Sequence, residues 1–354
     1  MSSSISSSDP DADRWRRFAR LYLLSAAGLL ALVYAFVAIV DPWDTLPLSP
    51  GLPRVPISTN ARFSFPALAR QPRFDSAVVG NSSSRLLKPE ELNPGFGARF
   101  VNLAMNSATP YEQSRILRVF LRAHPAPKAV VIGLDQVWCN PFDARYTERA
   151  FPEWMYGDSL WPAYKEVLTP YAVQEAANQF AVVVGLKRRR YGLDGYTSFV
   201  PPESQYDRVR RDAAFLRWPP TERAPPPPDA VAEFPALPRL RTMLASLPAG
   251  TRKVVYFVPY YRERQGAPGS VTDWRWKQCK QQVAAIAAAS GAETLDFMIP
   301  SWITLDKDHY WDPVHYRQPI ATLVAEGLAA GRSLHAAVLN PAPDERAPGE
   351  QAQR

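Results

Sequence analysis

Three consecutive serines follow a short apolar run: Gly80-Asn81-Ser82-Ser83-Ser84-Arg85 comes directly after Ser76-Ala77-Val78-Val79. A hydroxyl just past the last apolar position of a strand stands at the strand's C-terminal edge, where open α/β sheets place their ligands. If a helix starts there, its unpaired N–H groups can hold a developing oxyanion. Alone, Gly-x-Ser after a strand is usually a turn or a helix cap. A serine nucleophile also needs a base, and a histidine oriented by a carboxylate supplies one. The chain has four histidines. Two of them sit in Asp-x-x-His, once as Asp306-Lys307-Asp308-His309 and once as Asp312-Pro313-Val314-His315. The second pair is preferred, because an amphipathic helical pattern begins directly after His315 and puts the pair at the end of a loop facing a sheet edge. Ser82 is therefore expected to attack, His315 to act as general base and then acid, and Asp312 to orient it. A metal held by His309, His315 and nearby aspartates is a competing use, but Asp-x-x-His is not a zinc spacing. No cofactor and no metal is expected.

The elements that must position these groups alternate. Ser76–Gly80, Phe100–Leu103, Ala129–Leu134, Val254–Val258 and Thr294–Phe297 read as strands. Pro110 to His124, Val271 to Ala289 and Gln318 to Ala330 read as helices, the last ending near Gly331. Continuous apolar strands separated by amphipathic helices imply a mostly parallel sheet covered on both faces. Residues 140–240 break this rhythm and read as an insertion packing over the ligand end of the sheet. It carries Phe142, Tyr146, Phe151, Trp154, Tyr156, Trp161 and Tyr164, the basic run Lys187-Arg188-Arg189-Arg190, and Pro225–Pro228. The aromatics read as a satellite core or as a platform for sugar rings. The basic run reads as a solvated face or as a contact for an anionic glycan or lipid headgroup.

The blocks together resemble the SGNH (GDSL-type) hydrolase superfamily. The likeness is strongest to its membrane-anchored branch, which includes the D-alanine-transfer protein of teichoic-acid modification and the alginate O-acetyltransferases. Gly80-Asn81-Ser82 matches the first block of that family and Asp312/His315 the last, while Val101 to Thr109 follows the second. The resemblance spans about residues 73–335, with the 140–240 insertion unmatched. It implies a flavodoxin-like three-layer α/β sandwich, acyl transfer through a serine ester, backbone oxyanion donors at Ser82 and Ser107, and oxyanion or substrate contacts from Asn106, Ser107 and Asp135. Two departures stand out. Ser107 replaces the second-block glycine, so the turn there is in question. Gly133-Leu134-Asp135-Gln136 replaces Gly-x-Asn-Asp, so an asparagine donor is missing; such a donor is worth roughly 10²–10³ in turnover. Asp135 could instead bind an acceptor hydroxyl or serve as a turn carboxylate. A non-catalytic SGNH-like module that binds a glycan or partner protein is the alternative function, and a plain esterase that removes acyl groups rather than installing them is a third.

Composition bounds the rest. The 354 residues are 46% hydrophobic and 21% charged, which excludes a disordered chain and a polytopic membrane protein. The net charge of +7 comes with no long basic block, so nucleic acid is not expected as a partner. The 36 prolines are about twice the usual ~5% share and promise long irregular connections. Leu21 to Val40 is free of charge and preceded by Arg14, Arg16, Arg17 and Arg20. Such a span reads as an uncleaved anchor crossing about 30 Å of bilayer with its N-terminus in the cytoplasm. A cleaved signal peptide is the competing reading, and a buried soluble helix the third. The expected layout is a cytoplasmic 1–20, an inner-membrane anchor 21–40, a spacer 41–72, an extracytoplasmic domain 73–338 and a disordered tail 339–354. An envelope glycan is the expected substrate, and a multi-span membrane O-acyltransferase an expected partner. Cys139 and Cys279 allow one bridge, which spacing leaves open.

Overall fold

A computed structural model describes residues 10–141, 147, 149–189, 191–228, 231–331 and 337–339. The strands are β1 (Ser76–Val79), β2 (Phe100–Asn102), β3 (Ala129–Leu134), β4 (Arg252–Phe257), β5 (Glu293–Asp296), β6 (Tyr310–Asp312), β7 (His315–Tyr316) and β8 (Ala337–Val338). The helices are α1 (Pro10–Val40), α2 (Ala61–Ala69), α3 (Pro89–Phe96), α4 (Pro110–Ala123), α5 (Ala163–Glu166), α6 (Pro170–Val183), α7 (Arg208–Leu216), α8 (Leu237–Ala245), α9 (Val271–Ala289), α10 (Trp302–Leu305) and α11 (Gln318–Ala330).

Five strands pair in parallel in the order β2-β1-β3-β4-β5, and β8 adds an antiparallel edge to β5. Every residue of β1 and β3 is buried, as expected of strands covered on both faces. Helices α4, α8 and α9 pack in a row, and α3 packs on α11. Right-handed crossovers along this strand order put the two groups on opposite faces. Local chemistry fixes the helix ends. Thr109 and Glu112 form a capping box with Pro110 in the first turn of α4. Gly331, at φ +67°, closes α11 in the left-handed conformation.

Three expected boundaries move. Residues 41–72, expected as a spacer, carry α2 and bury Trp43, Phe65 and Leu68; proline-rich composition does not keep large apolar side chains out of a core. The expected insertion end at about 240 falls inside α8, the last helix of the connection from β3 to β4. The expected tail start at 339 is still hydrogen-bonded, with the Leu339 N–H donating to the Thr294 carbonyl at 3.0 Å. Residues 340–354 lie outside the described residues.

Helix α1 is 31 residues long, and by length and apolar composition it is able to cross a membrane. It begins at Pro10, so the Arg14–Arg20 cluster belongs to the same helix as the charge-free span. Its last turns enter the domain: Val37 and Val40 are buried. The Arg54 guanidinium donates to the carbonyls of Val40 and Ile39 at 2.7 and 3.2 Å, groups that a helix end leaves without partners. Cys139, after β3, is disulfide-bonded to Cys279 on α9. Structural disulfides persist in oxidising compartments, which points to an extracytoplasmic domain.

Candidate active site

The parallel register fixes where the site lies. Val79 of β1 pairs with Ile132 of β3, so Ser82 and Asp135 each stand three residues past that pair, at the carboxyl edge. The strand order reverses between β1 and β3, the switch point at which open sheets leave a crevice.

Of the three serines, Ser83 and Ser84 are buried and occupied. Ser83 donates to the Val314 carbonyl at 2.9 Å, and its own carbonyl accepts from the Tyr316 hydroxyl at 2.6 Å. The Ser84 hydroxyl accepts from Tyr256 at 2.9 Å and packs so closely on Gly80 and Gly133 that a Cβ at either would overlap it, at 2.4 and 1.9 Å. Ser82 is half-buried. Its Oγ lies 2.7 Å from His315 Nε2, and His315 Nδ1 lies 2.7 Å from Asp312 Oδ2. The structure thus brings Ser82, His315 and Asp312 into one hydrogen-bonded chain across 233 residues of sequence.

The Asp312–His315 geometry follows from a hairpin. Strands β6 and β7 are antiparallel, with Asp312 directly opposite His315; a cross-strand pair places both side chains on one face. Asp312 Oδ1 accepts the N–H groups of Val314 and His315 at 2.9 and 3.0 Å, which leaves Oδ2 for the imidazole. The hairpin is tied to the sheet through Ser83–Val314, through Tyr316–Ser83, and through Tyr261 N–H donating to the Pro313 carbonyl at 3.0 Å. Phe199 packs edge-on against the His315 ring, centroids 5.3 Å apart.

The loop after β2 forms the facing wall. Met105 N–H donates to the Gly80 carbonyl at 3.1 Å, so Ser107 and Ser82 each lie two residues past a tied position. Ser107 takes φ +56°, the left-handed conformation that glycine adopts without strain, and the turn forms with serine in place. Arg62 holds it. Its guanidinium reaches the carbonyls of Asn106 and Ser107 at 3.2 and 3.0 Å, and a bidentate, fully buried pair with Glu112 neutralises it. Arg85 donates to Asn106 Oδ1 at 3.1 Å. Among the described residues no acceptor meets the N–H of Asn106 or of Ser107, so both are available to a ligand. The Ser82 N–H, a further expected oxyanion donor, is instead taken by Asn81 Oδ1. The expected helix after Ser82 is only a single 3-10 turn, Ser84–Leu86, because Pro89 starts the next helix three residues on.

Asp135 is 2% exposed. Its Oδ1 accepts the Val137 N–H at 3.0 Å, and no basic side chain pairs with it among the described residues. Burial therefore raises its pKa to about 7, against smaller opposing effects of the Val137 N–H and of His315. Burial and the field of Asp135 in turn push the Tyr260 hydroxyl well above its ordinary range.

The second Asp-x-x-His is organised differently. His309 Nδ1 lies 3.1 Å from the Ile303 carbonyl, with its ring edge against Trp302. Asp306 caps the turn through the Asp308 N–H at 2.8 Å, while Asp308 is held by Arg208, Arg211 and Tyr206. Among the described residues no group of three His, Cys, Asp or Glu side chains is arranged to hold a metal.

The described aromatics of the insertion pack onto the main core, with Tyr156 buried in it and Phe151, Trp154 and Tyr164 against it, while Trp161 stays 60% exposed. Phe151 stacks on Tyr156, Trp154 packs on Trp43, and Trp161 stacks on Tyr164. Phe142 and Tyr146 lie outside the described residues. Sequence reasoning missed Arg62, whose partners lie 44 to 50 residues away, and Phe199. The Thr109-x-x-Glu112 box was the one legible signal for the wall's architecture. No protein-family model matches this chain, and no curated protein matches it in sequence.

Proposed function

We propose that the chain is an anchored, extracytoplasmic serine acyl-transfer enzyme of SGNH type, built as a flavodoxin-like three-layer sandwich. The observation that carries this reading is the unbroken Ser82–His315–Asp312 hydrogen-bond chain at the switch point of the sheet. Ser82 Oγ attacks the acyl carbonyl as its proton passes to His315 Nε2. That proton then goes to the departing group, and the acyl ester stays on Ser82. An acceptor hydroxyl next gives its proton to His315 Nε2 and attacks the ester, and the returning proton restores Ser82. Asp312 keeps Nδ1 protonated and stabilises the imidazolium. The N–H groups of Asn106 and Ser107 meet the oxyanion. Asp135, protonated up to about pH 7, supplies the side-chain donor that the missing asparagine would give; a carboxylic acid kept neutral by an apolar site can fill that role.

The substrate class is an O-acylated or acceptor glycan of the cell envelope, with the domain held at the outer face of the inner membrane by α1. A multi-span membrane O-acyltransferase is the partner class that would deliver an acyl group there. A fluorophosphonate probe tests the chemistry: it should label Ser82 in the wild type and fail in Ser82→Ala and His315→Ala. Acyl groups appearing on an added oligosaccharide, by mass spectrometry, mark transfer; free acid released at a rate indifferent to acceptor marks a hydrolase. A folded protein that never labels, with Ser82→Ala leaving cellular function intact, would make it a binding module. The engaged Ser82 N–H is the observation that favours that second reading.

A further inference from the structure

Helix α1 meets the domain before it has crossed a bilayer. Arg20 marks the last charge before the span, and at about 1.5 Å per residue the hydrocarbon thickness of roughly 30 Å is reached only at Val40. Yet α1 is already covered well short of that residue. The Tyr34 hydroxyl donates to the Tyr164 carbonyl at 3.0 Å, Phe36 and Phe180 are in ring contact at 6.1 Å, and Val37 is fully buried. Phe36 precedes Val40 by four residues, about 6 Å along the helix. What covers it therefore stands at the depth of the acyl chains.

The covering element, α6, has the side chains for that depth. From Val167 to Leu186 the only charged residue is Glu175. It is buried, and its carboxylate is met by the Ser58 hydroxyl and the Asn178 amide. The outer face instead exposes apolar groups: Phe180 is 47% exposed, Val184 49% and Leu186 83%. Directly after them come Lys187, Arg188 and Arg189, all exposed; the Lys187 ammonium donates to Asn178 Oδ1 at 2.7 Å, and the two arginines are left for anionic headgroups. A soluble domain rarely leaves such a run uncovered, and an apolar face ending in a basic cluster is the signature of a segment lying in a membrane interface with cations at anionic headgroups.

We infer that the C-terminal end of α6 and the turn after it are seated in the outer leaflet of the membrane that α1 crosses, with Phe180, Val184 and Leu186 among acyl chains and Arg188 and Arg189 on lipid phosphates. The domain is then held against the bilayer at two places and cannot swing freely about its anchor. The inference rests on the anchor reading above, so its test separates the two.

The full chain is reconstituted in lipid nanodiscs, with single cysteines at Leu30→Cys, Leu186→Cys or Leu216→Cys carrying an environment-sensitive fluorophore. Lipids with a nitroxide at known depth act as quenchers. Leu216, 86% exposed on α7, is the solvent reference. The expected result is strong quenching at 30 by deep nitroxides, quenching at 186 by shallow ones several-fold above that at 216, and an increase at 186 when phosphatidylglycerol replaces phosphatidylcholine. The variant R188Q/R189Q should lose that increase. Quenching at 30 with none at 186 above the reference overturns the inference and leaves the anchor standing. No quenching at 30 overturns both. Quenching at 186 that ignores lipid charge overturns the headgroup contact.

Discussion

The loop holding Asp306 and His309 and the loop holding Asp312 and His315 have the same spacing and lie six residues apart, yet they are used in opposite ways. In the first, carboxylate and imidazole never meet: Asp306 caps its own turn and His309 turns to the Ile303 carbonyl. In the second, two short antiparallel strands make Asp312 and His315 cross-strand partners, and the imidazole is carried to Ser82. Spacing alone does not create the pair. What decides it is a turn that brings residue i beside residue i+3, and a second contact that aims the ring.

The largest effects should fall on the second loop. Ser82→Ala and His315→Ala should each lower acyl transfer by at least about 10³-fold and should not add in the double variant, since the residues act as one unit. His309→Ala should stay within a few-fold in the same assay. Fluorophosphonate labelling that survives without His315 and vanishes without His309 would reverse the comparison.

Next come the carboxylates. Asp312→Asn keeps the hairpin's shape but removes the acceptor for Nδ1–H, and a loss of about 10²–10⁴ in kcat is expected. Asp308→Asn breaks a surface cluster with Arg208 and Arg211. The Arg208 pair is exposed, but Arg211 is only 10% exposed and Asp308 30%, so the cost in urea unfolding should be about 1 kcal/mol, the upper end for surface pairs, with kcat unchanged.

Asp135 sharpens the contrast further, because its role depends on its proton. Asp135→Ala should cost about 10²–10³ in kcat, the usual worth of an oxyanion donor. Asp135→Asn should keep most activity and abolish the decline expected of wild type above about pH 7. The stability sign is definite. The folded pKa is raised from 3.8 to about 7, so the folded state keeps a proton that the unfolded chain loses between those values. The stabilising contribution is complete below pH 3.8 and gone above pH 7. Thermal scans should therefore show the Asn variant gaining on wild type as pH rises from 4 to 8. A constant difference would mean that Asp135 is ionised throughout.

The smallest effect concerns the facing wall. Ser107→Gly relieves a left-handed φ worth about 1 kcal/mol, keeps the backbone N–H, and should raise Tm by a few degrees with labelling intact. Loss of labelling would give the serine hydroxyl a direct role.

Much of this was legible locally. The apolar runs of β1, β3 and β4, the helical periods of α4, α9 and α11, and the caps at Pro110 and Gly331 are short-range patterns, and the structure places those elements within about three residues of where periodicity puts them. Ser82, His315 and Asp312 were legible as types and spacings. Other features lay beyond any window. The fate of the 41–72 stretch depends on what Trp43 and Phe65 find to pack against. The short β8 edge carries no periodic signal at two residues.

The sequence by itself determined the alternation of strands and helices and the long apolar N-terminal helix, because each is side-chain chemistry repeated over a few turns, and it narrowed the candidate nucleophile, base and carboxylate to three serines and two Asp-x-x-His pairs. Only the tertiary structure decided which of three serines is free, which Asp-x-x-His closes on itself, that Cys139 meets Cys279, that Arg62 supports the Asn106–Ser107 turn, and that Asp135 is buried without a cation. Those outcomes depend on partners tens to hundreds of residues away. They are settled by strand order and register, which place β1 beside β3 and bring the two ends of the domain to one edge.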